Sequence, residues 1–253
     1  MIEFIEPLLI EYSLITAFAV VGLLVWFSYV LSGRLTRGRI HGSAIAISIG
    51  LVLAYFGGLE TDGKRGIADI PVFAGVGLMG GAMLRDFAIV ATAMGVHLGE
   101  LRRTGMVGVL SLFTGIFVSF FFGACVAYAF GYRDAVSMTT LGAGAATFIV
   151  GPVTGTALGA SSEIIALSVA AGLAKSILVM VGTPFVARFI GLNNPRTALI
   201  FGGLIGTTSG VAGGLAATDP KLVPYGAMTA TFYTGLGCLL GPSVMYFLIR
   251  LIA

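Results

Sequence analysis

Charge is what this sequence has least of. Asp, Glu, Lys and Arg make up 10% of its 253 residues, against about a quarter in a soluble domain. With 57% hydrophobic residues there is too little polar surface to stay in water, so the chain reads as an integral membrane protein embedded in a lipid bilayer. The net charge of +3 sits on connecting loops and forms no basic stripe, which excludes a nucleic-acid partner. Two cysteines, Cys125 and Cys238, lie inside apolar runs, too few for a disulfide framework or a thiolate metal site. Two histidines, His41 and His97, fall at the edges of apolar segments. No H-E-x-x-H, C-x-x-C, Walker or G-x-S-x-G sequence occurs. No catalytic residue, transition metal or enzyme activity is therefore expected. "MIEFIEPLLIEY" carries Glu3, Glu6 and Glu11 where a cleavable signal would be basic.

Acids are also missing from the middle of every apolar run. Asp69, Asp86, Glu163 and Asp219 all stand at or near segment ends. A proton-coupled carrier keeps a carboxylate or histidine relay inside the membrane, so this pattern favours Na⁺ as a driving ion.

Glycine is in excess. Its 38 residues are about twice the usual share, and glycine both lets membrane helices approach and permits them to break. Leu14 to Leu31 and Ser43 to Leu59 read as two plain spans of 14–59. The loop between them, with Arg34, Arg37 and Arg39, is cytoplasmic by the positive-inside rule. A glycine-rich transport core follows over 67–253, the whole chain being one integral membrane domain of 1–253. In it, Ile67 to Leu84, Thr139 to Ala160 and Ala198 to Ala217 are apolar but broken by glycine or proline. Conventional spans run from Met106 to Phe130, Ile164 to Ile190 and Val223 to Ile252. The fold class expected is an all-α polytopic membrane protein of about 8–10 transmembrane segments, counting discontinuous or re-entrant helices, with possible internal repeats. The broken pieces near 75, 144 and 203 recur, and Gly182 and Gly241 stand 59 residues apart. The segment 87–101 is too short for an ordinary span. Whether it lies in the interface or crosses leaves the topology after residue 86 open.

"GVGLMG", Gly75 to Gly80, imitates a dinucleotide fingerprint, but no strand precedes it and Asp86 comes too soon for the acidic partner. A helix contact or break is the better reading. Thr147, Thr154 and Thr156 in one broken piece offer the oxygen ligands that suit Na⁺. Thr207, Thr208 and Ser209 in another could hold an anion at a half-helix N-terminus. Lys175 stands in the middle of "LSVAAGLAKSILVMVGTP", where a lysine costs about 2.5–3.5 kcal/mol even on the lenient insertion scale. Neither membrane face is within snorkelling reach. Glu163, the nearest acid on its own helix, is about 18 Å away at 1.5 Å per residue. Lys175 is therefore a candidate substrate or ion-pathway cation, with a structural intramembrane ion pair as the alternative, and Arg85, closing the first broken piece, is a second candidate.

Three stretches, "SYVLSGRLTRGRIHGSAIAI", "GIADIPVFAGVGLMGGAMLRDFAIVATA" and "LAKSILVMVGTPFVARFIGLNNP", resemble the larger, MadM-type subunit of the bacterial malonate/sodium symporter over essentially the whole chain. That resemblance implies import of malonate, a dicarboxylate, with Na⁺ as the coupling ion and no other cofactor. It also implies a small MadL-type membrane subunit as partner and a bacterial inner-membrane location. Alternating access is the mechanism that fits. A channel, or a membrane subunit of a decarboxylase-coupled sodium pump, is the alternative. No site residue is carried over from the family; the candidates rest on their chemistry.

Overall fold

A computed structural model describes residues 2–38, 40–61, 66–79 and 98–252. Among these the chain is all helical, and five helices are long and apolar enough to cross a membrane. They are Ser13–Thr36, Gly42–Thr61, Gly105–Ala129, Ser162–Val186 and Pro220–Arg250. With the shorter broken pieces between them they make an all-α polytopic membrane protein. The chain divides into two compact units at Gly95/Val96, so the first glycine-rich piece belongs with the two N-terminal spans. Arg85, Asp86 and His97, and most of the segment 87–101, lie outside the described residues.

The first unit holds α1 (Ile2–Glu11), α2 (Ser13–Thr36) and α3 (Gly42–Thr61), then two 3₁₀ turns and the short α4 (Ala74–Leu78). Helix α4 lies against the start of α2 at Gly75, where any Cβ would collide with the Ser13 carbonyl. Only glycine fits this contact. In the turn joining α2 to α3, the Ser32 hydroxyl donates to the Ile40 carbonyl, and the His41 Nδ1 pairs with the Ser43 hydroxyl at 2.6 Å. Partial burial holds the His41 imidazole below its usual pKa, so it is neutral at pH 7.

The second unit holds α5 (Leu98–Ala129), α6 (Ala135–Ala146), α7 (Val150–Leu158), α8 (Ser162–Val186), α9 (Pro195–Ile205), α10 (Thr208–Ala216) and α11 (Val223–Leu240). A π turn at Gly241–Met245 and α12 (Tyr246–Arg250) continue α11 to the end. Helices α6 and α7 form a re-entrant hairpin and do not continue one crossing. A Cβ on Gly151 would fall 2.9 Å from the Gly144 Cα, and one on Gly155 would fall 2.7 Å from Thr140 Cγ2. The contacts run in opposite chain directions, so the two helices are antiparallel. Helices α9 and α10 also return on themselves. Gly226 at the start of α11 lies beside both the Ala198 carbonyl and the Val211 and Leu215 side chains. Along a continuous helix, Ala198 and Leu215 would be about 25 Å apart at 1.5 Å per residue.

The two hairpins enter from opposite sides. The first springs from the end of α5, and Ala127, Leu141 and Ile164 pack together there. The second springs from the end of α8, where Ala187, Leu192, Ala198, Leu215 and Leu222 form another cluster. The 25-residue α8 separates those two levels. The hairpins correspond at a constant offset of sixty positions in their turns, caps and tips. Gly131 and Gly191 both take positive φ in the entry turns. Asp134 caps α6 and Asn194 caps α9, each accepting from a backbone N–H three residues on. Thr147 and Thr207 stand at the tips. Of the three pieces in which glycine spacing suggested a repeat, those near 144 and 203 form a pair of inverted-topology hairpins, as in many secondary transporters, while the piece near 75 belongs to the first unit. At Asp134 burial pushes the carboxyl pKa up, but hydrogen bonds from Ser137 more than offset this and hold it below the usual value. The cap is ionised at neutral pH.

This arrangement places Arg133 and Arg188 at opposite ends of the unit. The end carrying Arg188, Arg196 and Lys221 holds more positive charge than the end carrying Arg133 and Arg250, so by the positive-inside rule it is the end expected to face the cytoplasm. In a chain with Cys125→Ala and Cys238→Ala, Tyr132→Cys and Ala160→Cys are expected to react with an impermeant maleimide added outside. Asn193→Cys and Lys221→Cys are expected to react only after permeabilisation. Labelling of Tyr132→Cys and Ala160→Cys from different sides would show that α6 and α7 cross the membrane.

Candidate functional site

Both hairpin tips meet the middle of α8. At the first tip, Phe148 presses on Gly172, and the Ala146 carbonyl, the last of α6, accepts a hydrogen bond from Lys175 Nζ at 2.9 Å. At the second tip, α9 ends on Gly206 at φ 81°, a left-handed conformation that glycine adopts without strain. The Tyr233 ring of α11 packs on that glycine, and the Thr207 hydroxyl makes a short hydrogen bond with Ser176. The site therefore forms where α5, α8, α11 and the two tips converge.

Lys175 is its only cation among the described residues. Its ammonium donates to the Ser119 hydroxyl of α5 at 3.0 Å as well as to Ala146, and it stands 5.5 Å from the centre of the Tyr233 ring. An ammonium has three donors, so one remains beyond these two bonds. All the groups around it are neutral dipoles or a π face. Among the described residues no carboxylate pairs with it. The charge is solvated by these dipoles and the π face alone. The repeat does not duplicate it, for Gly115 and Gly235 occupy the positions sixty residues to either side.

The tips differ in a second respect. The Thr147 hydroxyl accepts from the backbone N–H of Ile149 and Val150, closing the N-terminus of α7. Thr207, its counterpart, makes no side-chain cap to α10, because its hydroxyl is turned to Ser176. Ser209 also donates toward Ser176, at 3.4 Å. The start of α10, with Thr208 and Ser209 half-buried on it, keeps its N–H groups and the positive end of its dipole uncapped next to the residue following Lys175. Such a terminus favours an anion.

The expected residues are thus distributed unevenly. Lys175, Thr207 and Ser209 come together, and Thr208 is their neighbour on the same tip. Thr147 lies at the other tip and serves as a cap. Thr154 is fully buried where α7 packs on Gly241 of the π turn, and its hydroxyl oxygen has no hydrogen-bond partner. Thr156 is exposed on another face of α7 and does not join it. Arg85 lies outside the described residues. Sequence reasoning missed Ser119, Ser176, Tyr233 and the Ala146 carbonyl. Ser176 carries a signal, since it directly follows the buried lysine. Ser119 and Tyr233 carry none, being ordinary members of apolar spans brought to Lys175 only by packing.

A family model described as malonate/sodium symporter MadM subunit matches residues 5–253. No curated protein and no solved structure matches the chain.

Lys175→Met leaves the Ala146 carbonyl at a dry helix end without its donor, at about 1–3 kcal/mol. Ser119→Ala removes one hydroxyl acceptor and is expected to cost about 0.5–1.5 kcal/mol. Thermal unfolding of the purified protein in detergent is expected to show both losses, with the larger fall in Tm for Lys175→Met. Equal Tm values for Lys175→Met and wild type would mean that the ammonium does not support the tip.

Proposed function

We propose that this chain, which belongs to the malonate/sodium symporter MadM subunit family, binds malonate between Lys175 and the N-terminus of α10 and carries it inward with Na⁺ by alternating access. The family is one of transporter subunits, and the chain is a multi-pass membrane protein. The bacterial inner membrane is the location we assign to it. A small MadL-type membrane subunit is the partner we assign. The observation that carries the reading is the uncompensated Lys175 ammonium, held by neutral groups where two opposed hairpin tips meet.

Malonate is a small dianion. One carboxylate takes the remaining N–H of Lys175, and the other takes the uncapped N–H groups of α10 with the Thr208 and Ser209 hydroxyls. Charge arithmetic supports cotransport, because one lysine and one helix dipole neutralise only about one and a half charges. A cation bound alongside removes the rest, so a loaded site is nearly neutral while the half-loaded one is not. That difference favours movement of substrate and ion together. Of the three threonines of the first hairpin, Thr154 is the Na⁺ ligand we assign, because its buried oxygen is unused. The inverted pair of hairpins supports alternating access, since the site is flanked by one tip from each side and either tip can withdraw.

The test is uptake of labelled malonate by proteoliposomes carrying the chain with its small partner, with and without an inward Na⁺ gradient. Na⁺-driven accumulation is expected in wild type. Loss of at least tenfold is expected in Lys175→Ala, with partial recovery in Lys175→Arg, which keeps the charge. Thr154→Val is expected to raise the Na⁺ concentration for half-maximal uptake several-fold while leaving the maximal rate within about twofold. Downhill flux independent of Na⁺ would identify a channel. Full accumulation by Lys175→Ala would reduce the lysine to a structural charge.

A further inference from the structure

One cavity of the second unit is not explained by a substrate as small as malonate. It is a groove of about 820 Å³ between α5 and α8, floored by Leu141 and Ala145 of α6. Lys175 and Ser119 lie near one end, with Leu178 and Val179 a turn beyond the lysine, and Tyr132 lines the other. Everything between them is apolar. Phe122, Phe130 and Leu178 stand at its open side with 70%, 81% and 71% of their surface exposed. From Lys175 back to Leu167 the groove follows eight residues of α8, about 12 Å at 1.5 Å per residue.

The same ammonium that forms the anion site is thus the polar end of an apolar channel. Both polar side chains at that end, Lys175 and Ser119, already hydrogen-bond each other. The remaining Lys175 donor is the only strong recognition element the groove holds. The chemistry asks for an anionic head joined to a saturated chain, and the head must be one that the Lys175 site accepts.

We infer that the groove is an alkyl subsite of the carboxylate site, and that the protein binds malonates substituted at C2 with a hydrocarbon chain more tightly than malonate itself. This rests on the reading of Lys175 as the malonate cation. Malonate has a single carbon between its carboxylates, and a substituent there leaves both carboxylates free, one of them for Lys175. With the head so placed the chain runs along α8 past Ala171 and Ala174 toward Leu167. A dianionic head keeps the ligand in water, so partition of the chain into the bilayer does not compete with its burial in the groove. Transfer of a methylene from water to an apolar site is worth about fourfold in affinity. A four-carbon chain, even incompletely buried, is expected to gain thirtyfold or more. Because the chain occupies space between two helices, such a ligand also resists the rearrangement that releases malonate, and it acts as an inhibitor.

The experiment measures inhibition of Na⁺-driven malonate uptake in proteoliposomes of the chain with its small partner. The probes are unlabelled malonate, 2-methylmalonate, 2-butylmalonate and hexanoate, which is 2-butylmalonate less one carboxylate. Inhibition is expected to strengthen in the order malonate, methyl, butyl, and hexanoate is expected to inhibit at least tenfold more weakly than 2-butylmalonate. Ala171→Phe fills the groove one helical turn from Lys175. It is expected to transport malonate with a KM within about threefold of wild type and to lose the preference for the butyl chain. Wild type that transports malonate but is inhibited no better by 2-butylmalonate overturns the subsite alone, as expected if a lipid chain occupies the groove. Equal butyl preference in Ala171→Phe and wild type would place the chain elsewhere and likewise overturn it. Absence of Na⁺-driven malonate uptake in wild type would overturn both the transport reading and the subsite.

Discussion

In hydrocarbon every backbone N–H and C=O must find a partner within the protein, since each one left over costs several kcal/mol. The second unit ends four helices in the middle of the membrane, two at each hairpin tip, and so creates the problem that continuous helices avoid. Its solution determines the rest of the site. At the first tip the Ala146 carbonyl is met by Lys175, and the Thr147 hydroxyl closes the start of α7. At the second tip Gly206 turns the chain, and Thr207 bonds to Ser176. One side chain in this set is charged. Its ammonium satisfies a carbonyl that hydrocarbon could not, and it brings a positive charge to the same place.

Near-symmetry makes the departures from symmetry informative. The two hairpins share their entry glycines, their caps and their tip threonines at a common offset of sixty positions. They differ around Lys175 and at the tips. Lys175 has no copy, and Thr147 caps its helix while Thr207 does not. Two equally capped tips would form a scaffold. The closed tip takes a hydrogen bond from Lys175, and the open tip leaves the positive end of α10 uncapped.

Glycine supplies the closeness this requires. At Gly144 against Ser168, at Gly172 against Phe148 and at Gly202 against Gly226, a Cβ would collide with neighbouring backbone. Each of these contacts seats a hairpin on the helix that follows it. The excess of glycine is therefore not looseness: most of the contacting positions are buried, and the tips reach α8 because nothing lies between the backbones. Where α5 and α8 lack such contacts the second unit leaves an apolar groove that ends at Lys175.

The sequence by itself determined the solvent of this protein and the position of its one costly charge. Apolar runs of about twenty residues have no stable place but a bilayer. A lysine in the middle of such a run is conspicuous because hydrocarbon penalises it regardless of fold. Glycine and proline marked where helices break, since those residues act locally on the backbone. The direction of each break was not legible. A broken helix and a re-entrant hairpin have the same composition, and only contacts such as Gly144 with Gly151, or Gly226 with both Ala198 and Leu215, distinguish them. Nor was the company of Lys175 legible. Ser119 and Tyr233 lie 56 and 58 positions away along the chain, on helices whose rotation is set by packing. The equivalence of three threonines at the first hairpin was likewise resolved only in space. Within nine positions stand an oxygen that caps, one that is buried and unused, and one that faces outward. Local chemistry, read one residue at a time, names the candidates, while the long-range contacts that tertiary structure alone creates decide which of them meet.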